Sequence, residues 1–468
     1  VDLTAQAGRN IDVKNAVAAS GGGNIRFSAN DQSPGSGATG VGRVSITAAV
    51  SGGATGTVTV TNNGSSNANV LGAGSSISGA LGVTLTGDTT LAATASVGAG
   101  SGGVRFEGAI DGAFGLTAAT TGTATFGGAV DIASLASTGT GGVALNGGSV
   151  TTTGAQTYAG VVTLGGNTTL TGTALSFNNA TTPLAAAGND IVLHTRALSF
   201  GAGAITGAAS AAATVAGFAD ADTVSLASAT VSTANFTQAN LTKLGGFDAV
   251  TVGRSGGTGA ITVGALTLSA DTRVVADTAT VGFTGAITGA SNPLSTDTTG
   301  LTTLGAAATG LSTLDISGPA RIGTATVTTS GAQTYGGAVT LAATTTLTAA
   351  SVDVTGAVNA LASGVQGLTV NASGSTRFRS TVGATTALAA LTTNAAGSTT
   401  LTGDVTTTGA QTYNDAMTLA ASTEASGSAL NFNAAVDGAF GLTVTSAGTS
   451  TFGGAVDIAS LASTGTGG

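Results

Sequence analysis

The carboxylate pair Asp220 and Asp222 comes closer to acid–base chemistry, by residue type and spacing, than any other stretch of this sequence. Glycoside hydrolysis uses two carboxylates about 5–9 Å apart, and residues two positions apart on a strand project to the same face. Lyases add aspartates for Ca²⁺ and a basic residue. However, aspartates stand beside Gly and Ala corners throughout the chain, and Asp favours turns. We therefore interpret Asp220-Ala221-Asp222 as a corner and keep a carbohydrate-active enzyme as an alternative.

Two further stretches have residue types found in metal or catalytic sites. His194 is the single histidine of the chain, and no residue near it in sequence completes a triad or a metal site. Gly188-Asn189-Asp190 matches a fragment of the calcium-binding nonapeptide pattern, but the full pattern does not repeat. We interpret the first as a structural or exposed histidine and the second as a corner. The sequence predicts no catalytic, cofactor-binding or metal-ligating residue, and no cofactor.

Threonine-rich and tyrosine-containing stretches suggest surface binding as another interpretation. Ordered threonines on Thr57–Thr61 and Thr340–Thr348 would suit ice, although threonine is also preferred on any exposed strand. The three tyrosines, Tyr158, Tyr335 and Tyr413, could stack on sugars. Because they occupy repeat positions that phenylalanines also fill, we predict instead that they pack in or at the rim of a core.

The composition favours short strands and tight corners over helices. The chain of 468 residues has 77 Gly, 7% charged residues, two Lys, two Glu and no Cys. Helix surfaces use Glu and Lys, whereas Thr, Asn, Asp and Gly favour strands and turns. A hydrophobic content of 42% with four prolines argues against disorder. A net charge of -9 with scattered arginines argues against a nucleic-acid surface, and no apolar run predicts a membrane span or a signal peptide in this segment.

A repeat of about 20 residues organises the sequence. The segment Gly-Ala-Gln-Thr-Tyr occurs at 154–158, 331–335 and 409–413. Aromatic residues recur at steps of 19 or 20 residues, or near multiples of that step. The structural landmarks of the repeat are Phe106, Phe126, Tyr158, Phe177, Tyr335, Tyr413, Phe432 and Phe452. A period of this length with strand-type composition predicts a solenoid.

Among solenoids, the sequence favours an all-β, parallel β-helix that we expect to be right-handed. The Leu-Asn scaffold of leucine-rich repeats is missing, and helical repeats need longer, helix-forming units. Thr57-Val-Thr-Val-Thr61 alternates as a half-buried strand and leads into the corner Asn62-Asn63-Gly64. At about 20 residues per turn we expect roughly 23 turns and a rod of about 110 Å.

We predict one continuous solenoid over residues 1–468. Its subdivisions are first turns at 1–50 (strands at Asn10–Val13 and Asn24–Phe27, a loop at Ser33–Gly35), regular turns at 51–180, divergent turns at 181–300 and regular turns at 301–468. Gly and Thr interrupt the Ala-rich stretch 203–216, so we predict no helix there.

A longer echo indicates a larger repeat. Residues 111–142 match 437–468 at an offset of 326, with differences only at Ala118, Ala119, Thr120, Thr121 and Ala124. We interpret the sequence as a segment of a longer protein built of super-repeats.

Three stretches resemble the large filamentous-haemagglutinin-type exoproteins of Gram-negative bacteria. They are Val150–Tyr158, Thr168–Gly172, and Leu241–Arg254 followed by Gly259–Val263. The resemblance covers most of the chain, and its motifs are architectural. It implies a right-handed β-helix, export to the cell surface or the medium, and roles in adhesion, aggregation or matrix.

The expected function is a non-catalytic, extracellular or outer-surface structural and adhesive rod. The sequence repeats, and its titratable residues do not cluster in a pattern that would build a catalytic site, which supports this expectation. The alternatives are a fibre or sheath subunit that self-assembles into filaments, because open strand edges accept another copy, and a carbohydrate-active β-helix. The expected partners are further copies of the chain and glycans or proteins of host or neighbouring cells, with no nucleic acid.

Overall fold

The computed structural model describes residues 1–30, 42–62, 67–230 and 232–467. These residues are nearly all β, with 2% helix, and their parallel sheets stack as a β-solenoid of about 22 turns with roughly 20 residues per turn. The predicted fold class is therefore confirmed. The predicted loop at Ser33–Gly35 and the corner residues Asn63 and Gly64 lie outside the described residues.

Two compact units divide the chain: unit 1 comprises Val1–Ala219 with Gly246–Asp248, and unit 2 comprises Asp220–Gly245 with Ala249–Gly468. The prediction of one continuous solenoid over 1–468 stays a prediction. The strands of unit 1 are β1 (Leu3–Ala7), β2 (Ile11–Val13), β3 (Val17–Ala18), β4 (Ile25–Ala29), β5 (Val44–Ile46), β6 (Ala49–Ser51), β7 (Thr57–Asn62), β8 (Asn69–Leu71), β9 (Ser76–Gly79), β10 (Gly82–Thr86), β11 (Thr89–Leu91), β12 (Ala95–Ala99), β13 (Val104–Phe106), β14 (Ile110–Thr120), β15 (Ala124–Phe126), β16 (Val130–Thr138), β17 (Val143–Leu145), β18 (Ser149–Thr152), β19 (Ala155–Tyr158), β20 (Val162–Leu164), β21 (Thr168–Thr171), β22 (Ala174–Phe177), β23 (Leu184–Ala185), β24 (Ile191–His194), β25 (Ala197–Phe200) and β26 (Ala212–Ala216).

Unit 2 contains one short helix as well as strands. Its elements are β27 (Val224–Leu226), β28 (Ala234–Phe236), α1 (Gln238–Leu244), β29 (Ala249–Gly253), β30 (Ile261–Val263), β31 (Leu266–Thr267), β32 (Asp271–Asp277), β33 (Val281–Phe283), β34 (Ile287–Thr288), β35 (Leu294–Thr298), β36 (Thr302–Leu304), β37 (Ala308–Leu311), β38 (Leu314–Ile316), β39 (Ala320–Ile322), β40 (Thr326–Thr329), β41 (Ala332–Tyr335), β42 (Val339–Leu341), β43 (Thr345–Ala349), β44 (Ser351–Val354), β45 (Val358–Ala360), β46 (Leu368–Ala372), β47 (Ser375–Phe378), β48 (Leu391–Thr393), β49 (Ser398–Leu401), β50 (Val405–Thr406), β51 (Gln411–Tyr413), β52 (Ala416–Leu419), β53 (Thr423–Gly427), β54 (Leu430–Phe432), β55 (Val436–Ser446), β56 (Ser450–Phe452) and β57 (Val456–Thr464).

The alternation of apolar and polar residues explains why these short segments form strands. In β7 every second residue is buried, and Val58 and Val60 point inward. The strand pairs in register with β4 and β10, so Val60 lies between Phe27 and Leu85. Each turn therefore buries its apolar set by stacking on its neighbours, while the intervening threonines face outward. The predicted strand at Thr57–Thr61 is confirmed.

In unit 1 the turns have three sides. One side is a nine-stranded parallel sheet that runs β1-β4-β7-β10-β13-β15-β17-β20-β23. The other two sides join where the long strands β14 and β16 continue around a corner. A bulge in β14 between Gly112 and Gly115 makes this corner, and Gly112 has φ +126°, a conformation that favours glycine.

Unit 2 repeats this plan with a ten-stranded parallel sheet, β31-β34-β37-β40-β43-β46-β48-β51-β54-β56. Its strands β55 and β57 pair as β14 and β16 do, with the same bulge between Gly438 and Gly441. The echo in the sequence therefore forms the same pair of bulged strands in both units.

Aromatic side chains stack in columns inside the turns. Tyr158 stacks on Phe177 with ring centroids 5.5 Å apart, and Phe177 stacks on Phe200 at 5.1 Å. Phe106 stacks on Phe126 at 5.8 Å, in a different side of the turn. Seven of the eight sequence landmarks are at most 1% exposed, and the eighth, the Phe at 452, is half-buried.

The structure confirms in part the prediction that tyrosines and phenylalanines share a repeat position. Tyr158 lies in one ladder with Phe177, and Tyr413 lies in one ladder with Phe432 and Phe452. Phe106 and Phe126, however, lie in a different ladder from Tyr158. Phe126 is followed in its ladder by Leu145, whereas Tyr158 is preceded in its own ladder by Ser137. The two aromatic columns of unit 1 therefore belong to different strands of the turn. The sequence period alone does not distinguish these strands, because both columns advance by about 20 residues.

The divergent region 181–300 contains the largest departure from a regular turn. The Ala-rich stretch 203–216 includes strand β26 and no helix, as predicted. The helix α1 was not foreseen. Oγ1 of Thr237 caps it by accepting a hydrogen bond from the Asn240 amide, and Oδ1 of Asn240 accepts one from the Thr237 amide, which completes a capping box.

Candidate functional site

The Gly-Ala-Gln-Thr-Tyr segments build a buried hydrogen-bonded cluster that we call the Gln–Tyr clip. In the first copy, Gln156 is fully buried and its Nε2 donates to the carbonyl oxygens of Val150 and Thr171, both at 2.9 Å. The hydroxyl of Tyr158 donates to Oε1 of Gln156 at 2.8 Å. One amide thus ties together a corner of its own turn and the carbonyl of the following turn.

The same clip occurs at the two other copies. Gln333 donates to the carbonyl of Val327 at 3.1 Å and of Thr348 at 3.0 Å, and Tyr335 donates to Gln333 at 3.0 Å. The third copy comprises Val405, Gln411, Tyr413 and Ser426, with distances between 2.9 and 3.1 Å. Because buried polar groups must be paired, these segments recur for a structural reason.

Each clip is buried, and its surroundings are closely packed. Burial raises the pKa of Tyr158, Tyr335 and Tyr413 far above the usual value near 10. A Cβ added at Gly172 would lie 2.7 Å from Oγ1 of Thr152 and 3.3 Å from Nε2 of the clip glutamine. The tyrosines are therefore core residues, and the sequence-based prediction that they pack inside is confirmed.

The structure does not bring Asp220 and Asp222 together as a pair on one face. Asp220 lies in a turn with its side chain 70% exposed, and it forms an ion pair with Arg254 at 2.6 Å. Asp222 is only 7% exposed. The backbone carbonyl of Asp220 accepts a hydrogen bond from the Thr258 amide at 2.8 Å. This geometry agrees with the interpretation of Asp220-Ala221-Asp222 as a corner.

Gly188-Asn189-Asp190 is also a corner. Gly188 has φ +80°, and the Asn189 side chain donates to backbone carbonyls. Asp190 accepts a hydrogen bond from the amide of Ala212, on the following turn, at 2.8 Å. Asp88 and Asp404 accept equivalent bonds from the next turn. The corner aspartates therefore connect successive turns.

His194 ends strand β24 and is half-buried, between Thr171 and Ala216 in its ladder. Among the described residues, no group of three or more His, Cys, Asp or Glu side chains is arranged to hold a metal ion.

A different pair of carboxylates lies on adjacent strands, and the sequence analysis missed it. Asp111 and Asp131 are register partners on β14 and β16, so they lie one strand apart, about 4.8 Å between backbones. They line a shallow cleft of about 470 Å³ together with Thr90 and Thr153. Unit 2 repeats the pair with Asp437 and Asp457. The available signal was their spacing of 20 residues, which is one turn.

Asp415 is a carboxylate inside unit 2 and is 3% exposed. It accepts hydrogen bonds from the hydroxyls of Thr393 at 2.6 Å and Thr399 at 2.8 Å. The corresponding positions after the other two tyrosines of the clips are glycines, Gly160 and Gly337. These two hydroxyl donors therefore offset the cost of burying the aspartate, which the other two copies do not have.

Most threonines of the threonine-rich stretches lie on outward strand faces, whereas Thr345 is buried. Thr59 on β7 pairs in register with Thr84 on β10, and Thr346 on β43 lies between Thr326 and Thr369 in the ten-stranded sheet. All but Thr326, which is exposed, are half-buried. The sequence predicted outward threonines, and the structure adds that they form columns across successive turns.

Comparison with known proteins gave no match to a family model, to a curated protein or to a solved structure. Across the described residues, none of the helical structure is long and apolar enough to cross a membrane.

Proposed function

We propose that the chain is a non-catalytic structural and adhesive β-solenoid, exported to the surface of a Gram-negative bacterium or to its medium. The resemblance of its repeats to filamentous-haemagglutinin-type exoproteins supports this proposal. The observation that carries this proposal is that the recurrent residues serve the fold. The Gln–Tyr clips and the aromatic columns are buried and hold successive turns together.

The outward positions complement this buried framework. Threonine is the most frequent residue at outward strand positions, and corner aspartates bond to the next turn. Such a molecule supplies length, stiffness and a repeated lateral surface, which are the properties of an adhesive or matrix component. Its ligands would be glycans or proteins of host or neighbouring cells.

Two assays together test this proposal. Beads coated with the chain should adhere to, or aggregate, bacterial or host cells more than beads coated with an unrelated acidic protein. The soluble chain should release no sugar from a panel of polysaccharides. Asp131→Asn combined with Asp457→Asn is the matched control, because the fold brings Asp111 beside Asp131 and Asp437 beside Asp457. Sugar release that this double variant abolishes would overturn the non-catalytic proposal, and coated beads that adhere to no cell type would overturn the adhesive one.

A further inference from the structure

The ten-stranded sheet of unit 2 has an uncharged outer face. None of its ten strands contains Asp, Glu, Lys or Arg. The neighbouring ladder of the same unit differs, because Asp315, Asp353 and Arg377 lie on its strands β38, β44 and β47. The whole chain has a net charge of -9. Two copies therefore approach each other through the ten-stranded sheet with less repulsion than through charged faces.

A column of six threonines and one asparagine runs along this face, and we call it the threonine ladder. Its members are in register on consecutive strands, and all are half-buried or exposed. They are Thr326, Thr346, Thr369, Thr392, Thr412, Asn431 and Thr451. With strands about 4.8 Å apart, the six steps of the ladder extend over about 29 Å.

One hydrogen bond joins two members of this column, because the hydroxyl of Thr451 donates to Oδ1 of Asn431 at 3.0 Å. At the corner that follows strands β51 and β54, Nδ2 of Asn433 donates to Oδ1 of Asn414 at 2.7 Å, and Nδ2 of Asn414 donates to the carbonyl of Thr393 at 2.7 Å. Because Asn431 and Thr451 are already paired in the folded monomer, their side chains lose little further entropy on association.

We propose that the threonine ladder docks face to face on the threonine ladder of a second copy of this chain. Identical side chains in register interdigitate when two parallel sheets pack about 10 Å apart, and asparagine ladders strengthen such contacts. The absence of charge on the ten strands removes the like-charge repulsion that other faces of an acidic chain would bring. This inference rests on the proposed structural and adhesive function and names one partner for it.

The area of the face sets the strength of the contact. About 29 Å of ladder with about 13 Å of strand, four residues at 3.3 Å, gives roughly 400 Å² for each copy. Stable complexes bury about 800 Å² for each partner, so the contact is weak and reversible between single chains. Many chains arrayed on one surface engage several such faces together, which raises the overall affinity.

Two double variants test the proposal with the same change in net charge. Thr369→Glu with Thr392→Glu puts four carboxylates into a paired ladder. Thr59→Glu with Thr84→Glu puts the same charges on the nine-stranded sheet of unit 1, where the two threonines are also half-buried register partners. Sedimentation velocity over a concentration series, and aggregation of coated beads, should show reversible self-association for the unmodified chain and the unit 1 variant. The ladder variant should lose most of it while keeping the circular dichroism of the unmodified chain.

A charge swap identifies the contact as face to face. Thr369→Arg with Thr392→Arg should also fail to self-associate, yet an equimolar mixture of the Arg and Glu ladder variants should associate at least as well as the unmodified chain. Equal loss in the unit 1 variant, no recovery in the mixture, or an unmodified chain that stays monomeric would overturn the proposal. Adhesion of coated beads to cells reports on the proposed function separately. If the ladder variant loses that adhesion while the unmodified chain is monomeric, the ladder binds a different partner and the self-docking proposal fails.

Discussion

At the scale of single residues, the Gln–Tyr clip concentrates several buried hydrogen bonds on one amide. Gln333→Leu would leave the carbonyls of Val327 and Thr348 and the hydroxyl of Tyr335 without their partner. Each buried group left unpaired costs about 1–3 kcal/mol, so for three groups we expect a loss of at least about 3 kcal/mol in the free energy of unfolding. Urea unfolding measures this loss, and Thr334→Val, at the half-buried neighbouring position, is the control.

A double variant separates the clip from simple cavity formation. In the Gln333→Leu variant the hydroxyl of Tyr335 has lost its acceptor. Adding Tyr335→Phe removes this unpaired hydroxyl, so Tyr335→Phe should lower the free energy of unfolding much less in that variant than in the unmodified chain. Strict additivity of the two losses would show that the phenol and the amide do not act as a unit.

The buried tyrosines also predict alkaline instability. Burial holds the pKa of Tyr413 far above its usual value, and nearby Asp415 adds to this shift. The unfolded chain ionises near pH 10 while the folded chain does not, so the stability is fully present below pH 10 and falls as the pH rises above it. Each such tyrosine lowers the free energy of unfolding by about 1.4 kcal/mol for each pH unit above 10.

Tyr413→Phe tests the origin of this pH dependence. The variant should be less stable at pH 8, because the amide of Gln411 loses its donor. Above pH 10, however, its stability should fall less steeply with pH than that of the unmodified chain. Parallel stability–pH curves between pH 10 and 11.5 would contradict the assignment.

At the scale of elements, helix α1 covers the first strand of the ten-stranded sheet. Nε2 of Gln238 donates to the carbonyl of Thr267 at 2.9 Å, and the Thr267 amide donates to Oε1 of Gln238 at 3.0 Å. Leu241 and Leu244 are at most 2% exposed. The helix thus satisfies polar groups at the sheet edge and covers apolar surface, which is one way in which proteins protect a sheet edge.

Leu241→Ala should weaken this cover. We expect a loss of about 2–5 kcal/mol in local stability and faster amide hydrogen exchange in β31 and β34 than in β43. Ala239→Ser changes an exposed position of the same helix and should leave exchange in β31 nearly unchanged. Equal acceleration in β31 and β43 would mean that the helix does not protect this edge specifically.

The elements also show which parts of the fold a sequence can predict. Alternation in stretches such as Thr57–Thr61 predicted strands, because burial on one face dictates a period of two. The helix α1 escaped prediction because its seven residues are too few for a helical period, and a capping box with Asn240 replaces the usual Glu or Gln. The Asp111 and Asp131 pair escaped because only the register between turns brings the two residues together.

At the scale of the whole molecule, the stacking of turns determines how far the destabilising effect of a core substitution extends along the chain. Phe126 packs between Phe106 and Leu145 of the adjacent turns, and is 1% exposed. In a solenoid each repeat contacts only its neighbours, so stability is a sum of local terms. A core cavity should therefore destabilise nearby turns most and distant turns little.

Phe126→Ala measures this spread directly. We expect it to cost about 3–5 kcal/mol locally and to accelerate amide hydrogen exchange mainly in β13, β15 and β17. Exchange in β46 of unit 2 should change little, because no element of unit 2 contributes to that aromatic column. Phe114→Ala is the matched control, since Phe114 is 41% exposed and its removal leaves no core cavity. Uniform acceleration across both units would show that the turns unfold as one cooperative body, and nearest-neighbour stacking would then not account for the stability of the chain.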